Sequence, residues 1–296
     1  MRSVLAVVAL LLSTTGCGHD AAVAGDAAAA GDAAAAGDAA AAGDAAAAGD
    51  AASADPLPPV FERDGTHYER AWVEEFDHGL GEATLGDWTF ATNAAWLHPD
   101  NARVADDMLE LHLTAVGATQ LPPGADRDYL GAEYDRIGAQ QFGRLLTRMR
   151  PAAPPGVISS FFTAAYRYDG AGTLVDLAEI DIEFAGKTTE VQFTIHWIDA
   201  AGQQSRSATV ALPFDAGADF HVWEIEWLAG RIVFYVDGDE LHRFTDPTPV
   251  AEQAQPQSVM ANTWITTSVP WAGAFDPGTL PQVTRYDWMA SYRVAP

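Results

Sequence analysis

Cysteine and lysine are almost missing from these 296 residues: Cys17 and Lys187 are the only ones. With a single cysteine no intramolecular disulfide can staple the chain, so burial and hydrogen bonding must hold the fold. Basic charge is scarce overall, 16 lysines and arginines against 41 aspartates and glutamates, for a formal net charge of −25. A nucleic-acid partner needs a basic stripe and is excluded. A polyanionic substrate would be repelled, whereas an uncharged polymer such as a neutral polysaccharide would not. The shortage of lysine fits GC-rich coding with an acidic, soluble surface, or adaptation to salty water; the two are compatible. Sustained helical spacing is also lacking.

What is present begins with a leader. Arg2 precedes the apolar run Val4 to Leu12 and then Ser13-Thr14-Thr15-Gly16-Cys17, the layout of a secretory signal with a small-residue cleavage site. The run is too short to span a bilayer as a mature helix. Gly-Cys at the cleavage point resembles a bacterial lipoprotein signal, which implies lipidation of Cys17 and attachment to a membrane through the lipid alone. Plain secretion, with Cys17 discarded or left as a free thiol, is the alternative. From Gly25 the unit Gly-Asp-Ala-Ala-Ala-Ala recurs every six residues, with nothing large enough to bury. Residues 18–59 therefore read as a linker, a spacer that gives reach, and 60–296 as the folded domain.

Within that domain short runs of alternating apolar and polar residues end at Gly, Pro, Asn or Asp. They include Met108 to Leu113, Val157 to Thr163, Ile180 to Phe184, Val191 to Trp197, Val222 to Trp227, Ile232 to Val236 and Arg285 to Arg293. Tyr235-Val-Asp-Gly-Asp-Glu-Leu241 reads as a hairpin around Asp-Gly. Many strands at short intervals predict an all-β chain, a β-sandwich or jelly roll. Nine tryptophans exceed the needs of such a core, so some are expected to face a groove.

Residues 179–184 read Glu-Ile-Asp-Ile-Glu-Phe. The strand period of two puts Glu179, Asp181 and Glu183 on one face, with Ile180, Ile182 and Phe184 behind them. Three carboxylates in a row repel one another, and the bland alternative is a solvated strand face. Retaining glycoside hydrolysis needs two carboxyls about 5 to 5.5 Å apart. The Cα atoms of Glu179 and Glu183 stand roughly 13 Å apart at about 3.3 Å per residue, so the strand must line a concave face for the side chains to meet. A shorter aspartate between them separates their pKa values, leaving one glutamate a nucleophile and the other an acid.

The longer stretch Glu179-Ile-Asp-Ile-Glu-Phe-Ala-Gly-Lys-Thr-Thr-Glu-Val-Gln-Phe193 resembles glycoside hydrolase family 16, and within it the bacterial lichenase branch, the β-1,3-1,4-glucanases. The resemblance implies a concanavalin A-like jelly roll with a concave substrate cleft. It makes Glu179 the nucleophile, Asp181 its assistant and Glu183 the general acid/base. Asn93-Ala-Ala-Trp96, Gly131-Ala-Glu133-Tyr134, Val157-Ile-Ser-Ser-Phe-Phe162-Thr and Ala261-Asn262-Thr-Trp264 followed by Trp271 resemble sugar-binding segments. Asn93, Glu133, Phe162, Asn262, Trp264 and Trp271 are thereby candidate substrate contacts, each with a packing or surface alternative. Phe161 and Phe162 point to opposite faces, so only one can reach a groove. Asp287 in Tyr-Asp-Trp288 resembles the family aspartate that, with backbone oxygens near Glu75 and Asp107, holds a structural calcium; no catalytic cofactor is implied.

Departures from the family pattern bear on the substrate. Leu177-Ala178 precedes Glu179 where lichenases commonly carry Trp or His followed by Asp, and Asp135 stands where an arginine is usual. His196, in Thr194-Ile-His-Trp197, is closer to laminarinase-type members and can bond Asp181 or a sugar, or serve as a structural histidine. The leading expectation is an endo-acting retaining hydrolase of β-1,3-1,4- or β-1,3-glucan, a monomer anchored by lipid at the cell surface or the periplasmic face of a membrane. The alternatives are an enzyme on another neutral β-glycan such as xyloglucan, hydrolysing or transferring, and a glycan-binding lipoprotein without catalysis.

Overall fold

Wherever apolar and polar side chains alternate with period two, the chain is strand, and the strands stack into two antiparallel sheets. The structure, a computed structural model, describes residues 57–119, 121–123 and 125–296. The leader, Cys17 and the Gly-Asp-Ala repeat lie outside the described residues. One sheet, here the cleft sheet, runs in the order β3 (Ala83–Leu85), β7 (Tyr129–Gln140), β16 (Gln257–Ile265), β9 (Val157–Tyr168), β10 (Leu174–Ala185), β11 (Glu190–Asp199), β12 (Gly202–Ala211). The outer sheet runs β1 (Val60–Arg63), β2 (Thr66–Glu74), β17 (Gln282–Val294), β8 (Gly143–Arg150), β13 (His221–Leu228), β14 (Arg231–Val236), β15 (Asp239–Phe244). Alongside the first half of β17 lie β6 (Met108–Ala115) and β5 (Ala102–Ala105). The end of β6 pairs with the start of β7, and β4 (Ala95–Leu97) lies parallel to β7. This is the two-layer β-sandwich of a jelly roll.

The seven expected runs all fall inside strands, and β9 and β10 continue past their expected ends to form a long hairpin. The Asp237-Gly238 turn links β14 to β15 with both residues at positive φ, 50° and 90°, the twist that a two-residue hairpin requires. Ile180, Ile182 and Phe184 of β10, with Phe193 and Ile195 of β11, meet Trp223, Ile225 and Trp227 of β13 and Phe234 of β14 in the core. Each such side chain contributes about 1.5–3 kcal/mol by leaving water. Phe161 joins that core and Phe162 turns the other way. The last strand, β17, is central: it pairs with β6 over Gln282 to Tyr286, with β8 from Arg285 and with β2 from Met289.

The side of β13 that faces away from the core carries a second row of acids. Glu224 and Glu226 are 3% and 0% exposed. Arg144 of β8 and Arg63 of β1 bracket Glu224; Arg231 pairs with Glu226 at 2.9 Å, and the Tyr68 hydroxyl donates to Glu226 at 3.2 Å. The Arg144 guanidinium lies 4.6 Å from the Phe61 ring centre and 5.4 Å from that of Tyr68, so the β1–β2 hairpin seals the cluster.

Candidate active site

Antiparallel register builds the site row by row, because residues directly opposite each other share a face. In one row Glu133 (β7), Asn262 (β16), Ser160 (β9), Glu183 (β10) and Gln192 (β11) lie side by side. The next row runs Asp135, Met260, Phe162, Asp181, Thr194, and the third holds Ser258, Ala164, Glu179 and His196. The three expected carboxylates thus share the floor of one cavity with Glu133, Phe162, His196 and Asn262. Trp88, Phe90 and Trp264 supply its aromatic wall. Among the described residues, neither lysine nor arginine lines it.

The carboxyls are held unequally. Gln192 Nε2 and Thr194 Oγ1 donate to Glu183 Oε2 at 3.3 and 3.4 Å, and Trp271 Nε1 orients Gln192 by donating to its Oε1 at 3.0 Å. Burial, with the Glu179 charge added, pushes Glu183 up to about 8 despite those donors. Asp181, 3% exposed, is raised well above the usual carboxylate range by burial, by the charges of Glu179 and Glu183, and by a hydrogen bond with Glu179. Its Oδ2 lies 3.5 Å from His196 Nε2, and burial lowers the pKa of His196, so this imidazole is a neutral neighbour at pH 7. The Tyr166 hydroxyl donates to Glu179 Oε2 at 2.8 Å. A row with Glu183 and Asp181 raised at one end and in the middle, and Glu179 accepting from Tyr166 at the other end, can supply both an acid and a nucleophile.

Glu133 is an interior acid, in contrast to the surface-charge alternative: it is 6% exposed, accepts from Trp88 Nε1 at 2.8 Å, and is pushed up to about 7 by burial. Ser160 Oγ donates to Asn262 Oδ1 at 2.6 Å, which fixes the amide toward the floor. Two expected contacts lie elsewhere. Asn93 is 1% exposed and outside the cavity lining; its Oδ1 accepts from Ala95 N at 2.8 Å, while its Nδ2 is buried without a hydrogen-bond partner. Trp271 also lies behind the lining, packed 5.9 Å from Trp264 and hydrogen-bonded to Gln192. Tyr166, Trp88, Phe90 and Ser160 carried no signal of their own in the sequence. Tyr166 was legible only as the next same-face position after Phe162 and Ala164 on a strand that runs further than its apolar pattern.

Among the described residues, one group of three His, Cys, Asp or Glu side chains brings possible metal-ligand atoms within 4.8 Å of one another: Glu179, Asp181 and His196. Glu75, Asp107 and Asp287 form no such group, and Arg148 Nη1 sits 2.6 Å from Asp287 Oδ2. That guanidinium occupies the carboxylate a calcium ion would use, so the side chains present fit calcium poorly, and any such ion would rest on backbone oxygens.

Comparison with known proteins agrees with this geometry. A β-glucanase of Brevibacillus brevis is 32% identical over 225 residues, 74% of this chain and 80% of that protein. A β-glucanase of Bacillus amyloliquefaciens is 40% identical over 199 residues, 67% of this chain and 75% of its own length. The crystal structure of a prokaryotic β-1,3-1,4-glucanase (lichenase) from a mouse hindgut metagenome superposes with a TM-score of 0.63 at 31% identity, covering 76% of this chain and 99% of that one. The laminarinase catalytic domain of Thermotoga petrophila, at 19% identity and a TM-score of 0.67 over 78% of this chain and all of that one, shares the fold. Residues 90–290 match the family described as Glycosyl hydrolases family 16, and with the carboxylate row in place across that span, this chain belongs to that family.

Proposed function

We propose that the domain is an endo-acting retaining hydrolase of β-1,3-1,4- or β-1,3-glucan. The observation that carries this is the row Glu179, Asp181, Glu183 on β10, facing a cation-free groove walled by Trp88, Phe90 and Trp264. Aromatic faces take the apolar faces of pyranose rings, Glu133 and Asn262 take hydroxyls, and an acidic floor disfavours sulfated or uronic polymers. The β-glucanase relatives support the same substrate class.

In the first step Glu179 attacks the anomeric carbon while Glu183, its proton held to about pH 8, passes that proton to the leaving oxygen. The product is a glycosyl-enzyme on Glu179. In the second step Glu183, now a carboxylate, takes a proton from water as its oxygen attacks that carbon and the bond to Glu179 breaks. Asp181, raised well above the usual carboxylate range by burial and by the charges of Glu179 and Glu183, hydrogen-bonds to Glu179 and so assists the nucleophile. The full chain and its Glu179→Gln variant, incubated with barley β-glucan, laminarin, xyloglucan and agarose, test the reading. Cleavage of the first two, lost in the variant, is expected; binding without cleavage on every polymer sinks it. Proton NMR of the first products should show retained anomers, and inverted ones would remove Glu179 as nucleophile.

The remaining expectations become proposals of the same reading. Cys17 carries the lipid anchor, supported by the lone cysteine after the apolar run; an N-terminal mass spectrum of the mature protein without an acylated cysteine removes it. The chain is a monomer, checked by light scattering. A structural calcium near Asp287 rests on family resemblance, against the competing Arg148; a melting temperature unmoved by a chelator eliminates it.

A further inference from the structure

Ala164 stands directly opposite Glu179 in the β9–β10 register, and Tyr166 directly opposite Leu177. Phe162, Ala164 and Tyr166 follow one another on the cleft face. A large side chain at 164 would fill the space over Glu179. The methyl of Ala164, itself 3% exposed, leaves that space to the next residue in the row. Diagonal neighbours in an antiparallel pair are about 7–8 Å apart, within reach of a tyrosine. The Tyr166 ring leans along that diagonal and its hydroxyl donates to Glu179 Oε2 at 2.8 Å, while the residue remains 36% exposed at the groove. No ion pair of the described residues involves Glu179, so its hydrogen bonds come from Asp181 and from this phenol.

We infer that Tyr166 is a positioning residue for Glu179, fixing the carboxylate beneath the anomeric carbon and carrying the charge that Glu179 regains when the glycosyl-enzyme breaks down. The inference rests on Glu179 being the nucleophile. Burial and the nearby charge of Glu179 raise the phenol well above its ordinary pKa, so it remains a donor at every pH at which the fold is expected to work. A donor on a carboxylate acts unequally on the two chemical steps. When Glu179 bonds to the sugar its charge falls and the hydrogen bond weakens. When water attacks, the electron pair of the breaking C–O bond returns to Glu179, the water proton passes to Glu183, and the hydrogen bond strengthens again. Losing the donor therefore slows breakdown of the intermediate more than its formation.

The test uses the full chain, its Tyr166→Phe variant and a dinitrophenyl glycoside of a β-glucan oligosaccharide, whose good leaving group makes the first step fast. The variant is expected to release a stoichiometric burst of dinitrophenol, to lose kcat by about 10- to 100-fold with KM falling alongside, and to show the sugar mass on Glu179 in quenched samples. Tyr168→Phe, one position further along the same face, should match the parent. A Tyr166→Phe protein with no burst beyond the parent's and unchanged KM overturns the assignment. A 2-deoxy-2-fluoro analogue that labels neither protein at Glu179 overturns the nucleophile reading itself, and this result is distinct from the first.

Discussion

Two strands of this molecule carry almost the same motif, Glu-Ile-Asp-Ile-Glu on β10 and Glu-Ile-Glu on β13, and in both the isoleucines enter the core while the acids turn away. The outcomes are opposite. On β13 each glutamate has a guanidinium partner, and the row is a sealed ion-pair cluster under Phe61 and Tyr68. Among the described residues no arginine or lysine lines the cavity over the β10 row; Glu179 and Glu183 accept from the neutral donors Tyr166, Gln192 and Thr194, and burial raises the pKa of Asp181 and Glu183. Alternation decides which way acids point. Whether they become structure or chemistry is decided by what the neighbouring strands bring to face them.

The sharpest way to break this contrast is to remove one acid from each row. Glu179→Gln should lower polymer cleavage on the order of 10,000-fold, because the nucleophile is lost, with melting changed little. Glu226→Gln should leave kcat within about threefold and cost about 3–5 kcal/mol, seen as a melting temperature lower by roughly 10 °C, because Arg231 is left without its counter-charge. A Glu226→Gln protein as stable as the parent would show that the outer row is not held by its pairing.

pH separates the rows further. Glu183 binds its proton more tightly folded, up to about 8, than unfolded, so the stability it contributes is complete below its ordinary value near 4.5 and is lost as pH rises through about 8. Glu183→Gln should therefore melt higher than the parent at pH 8 and no higher near pH 4, as read by thermal unfolding at the two pH values. The same proton sets the alkaline side of the rate profile: kcat/KM should fall as pH passes about 8, and a profile flat to pH 10 would reject Glu183 as the acid. The smallest effect is expected at Glu133, where Glu133→Gln keeps the acceptor for Trp88 and should raise KM by less than about tenfold.

The sequence shows what is local. The carboxylate face, the opposition of Phe161 and Phe162 and the Asp237-Gly238 turn all follow from period two and turn chemistry, and each is found. What stays hidden depends on pairing between distant segments. Tyr68 meets Glu226 across 158 positions, and Trp271 reaches Gln192 across 79. The polar β12 has too weak an alternation to announce itself. At Asn93 the motif resembles a sugar-binding one, and the fold adds what the motif does not show: Ala95 N takes the side-chain oxygen and Nδ2 is left buried without a partner.

The position of β17 has a consequence for how the chain acquires this shape. This thirteen-residue strand is wedged between β2, β6 and β8, which precede it by a long stretch of sequence. Until it docks, those three have open edges and the outer half of the core has no Tyr286 or Met289. Closure of the outer sheet thus waits on β17: the strands before it can collapse but not close without it, and its non-local pairings make that step slow. Deleting β17 should leave an unfolded, aggregation-prone chain with no cooperative melting transition in place of a trimmed enzyme.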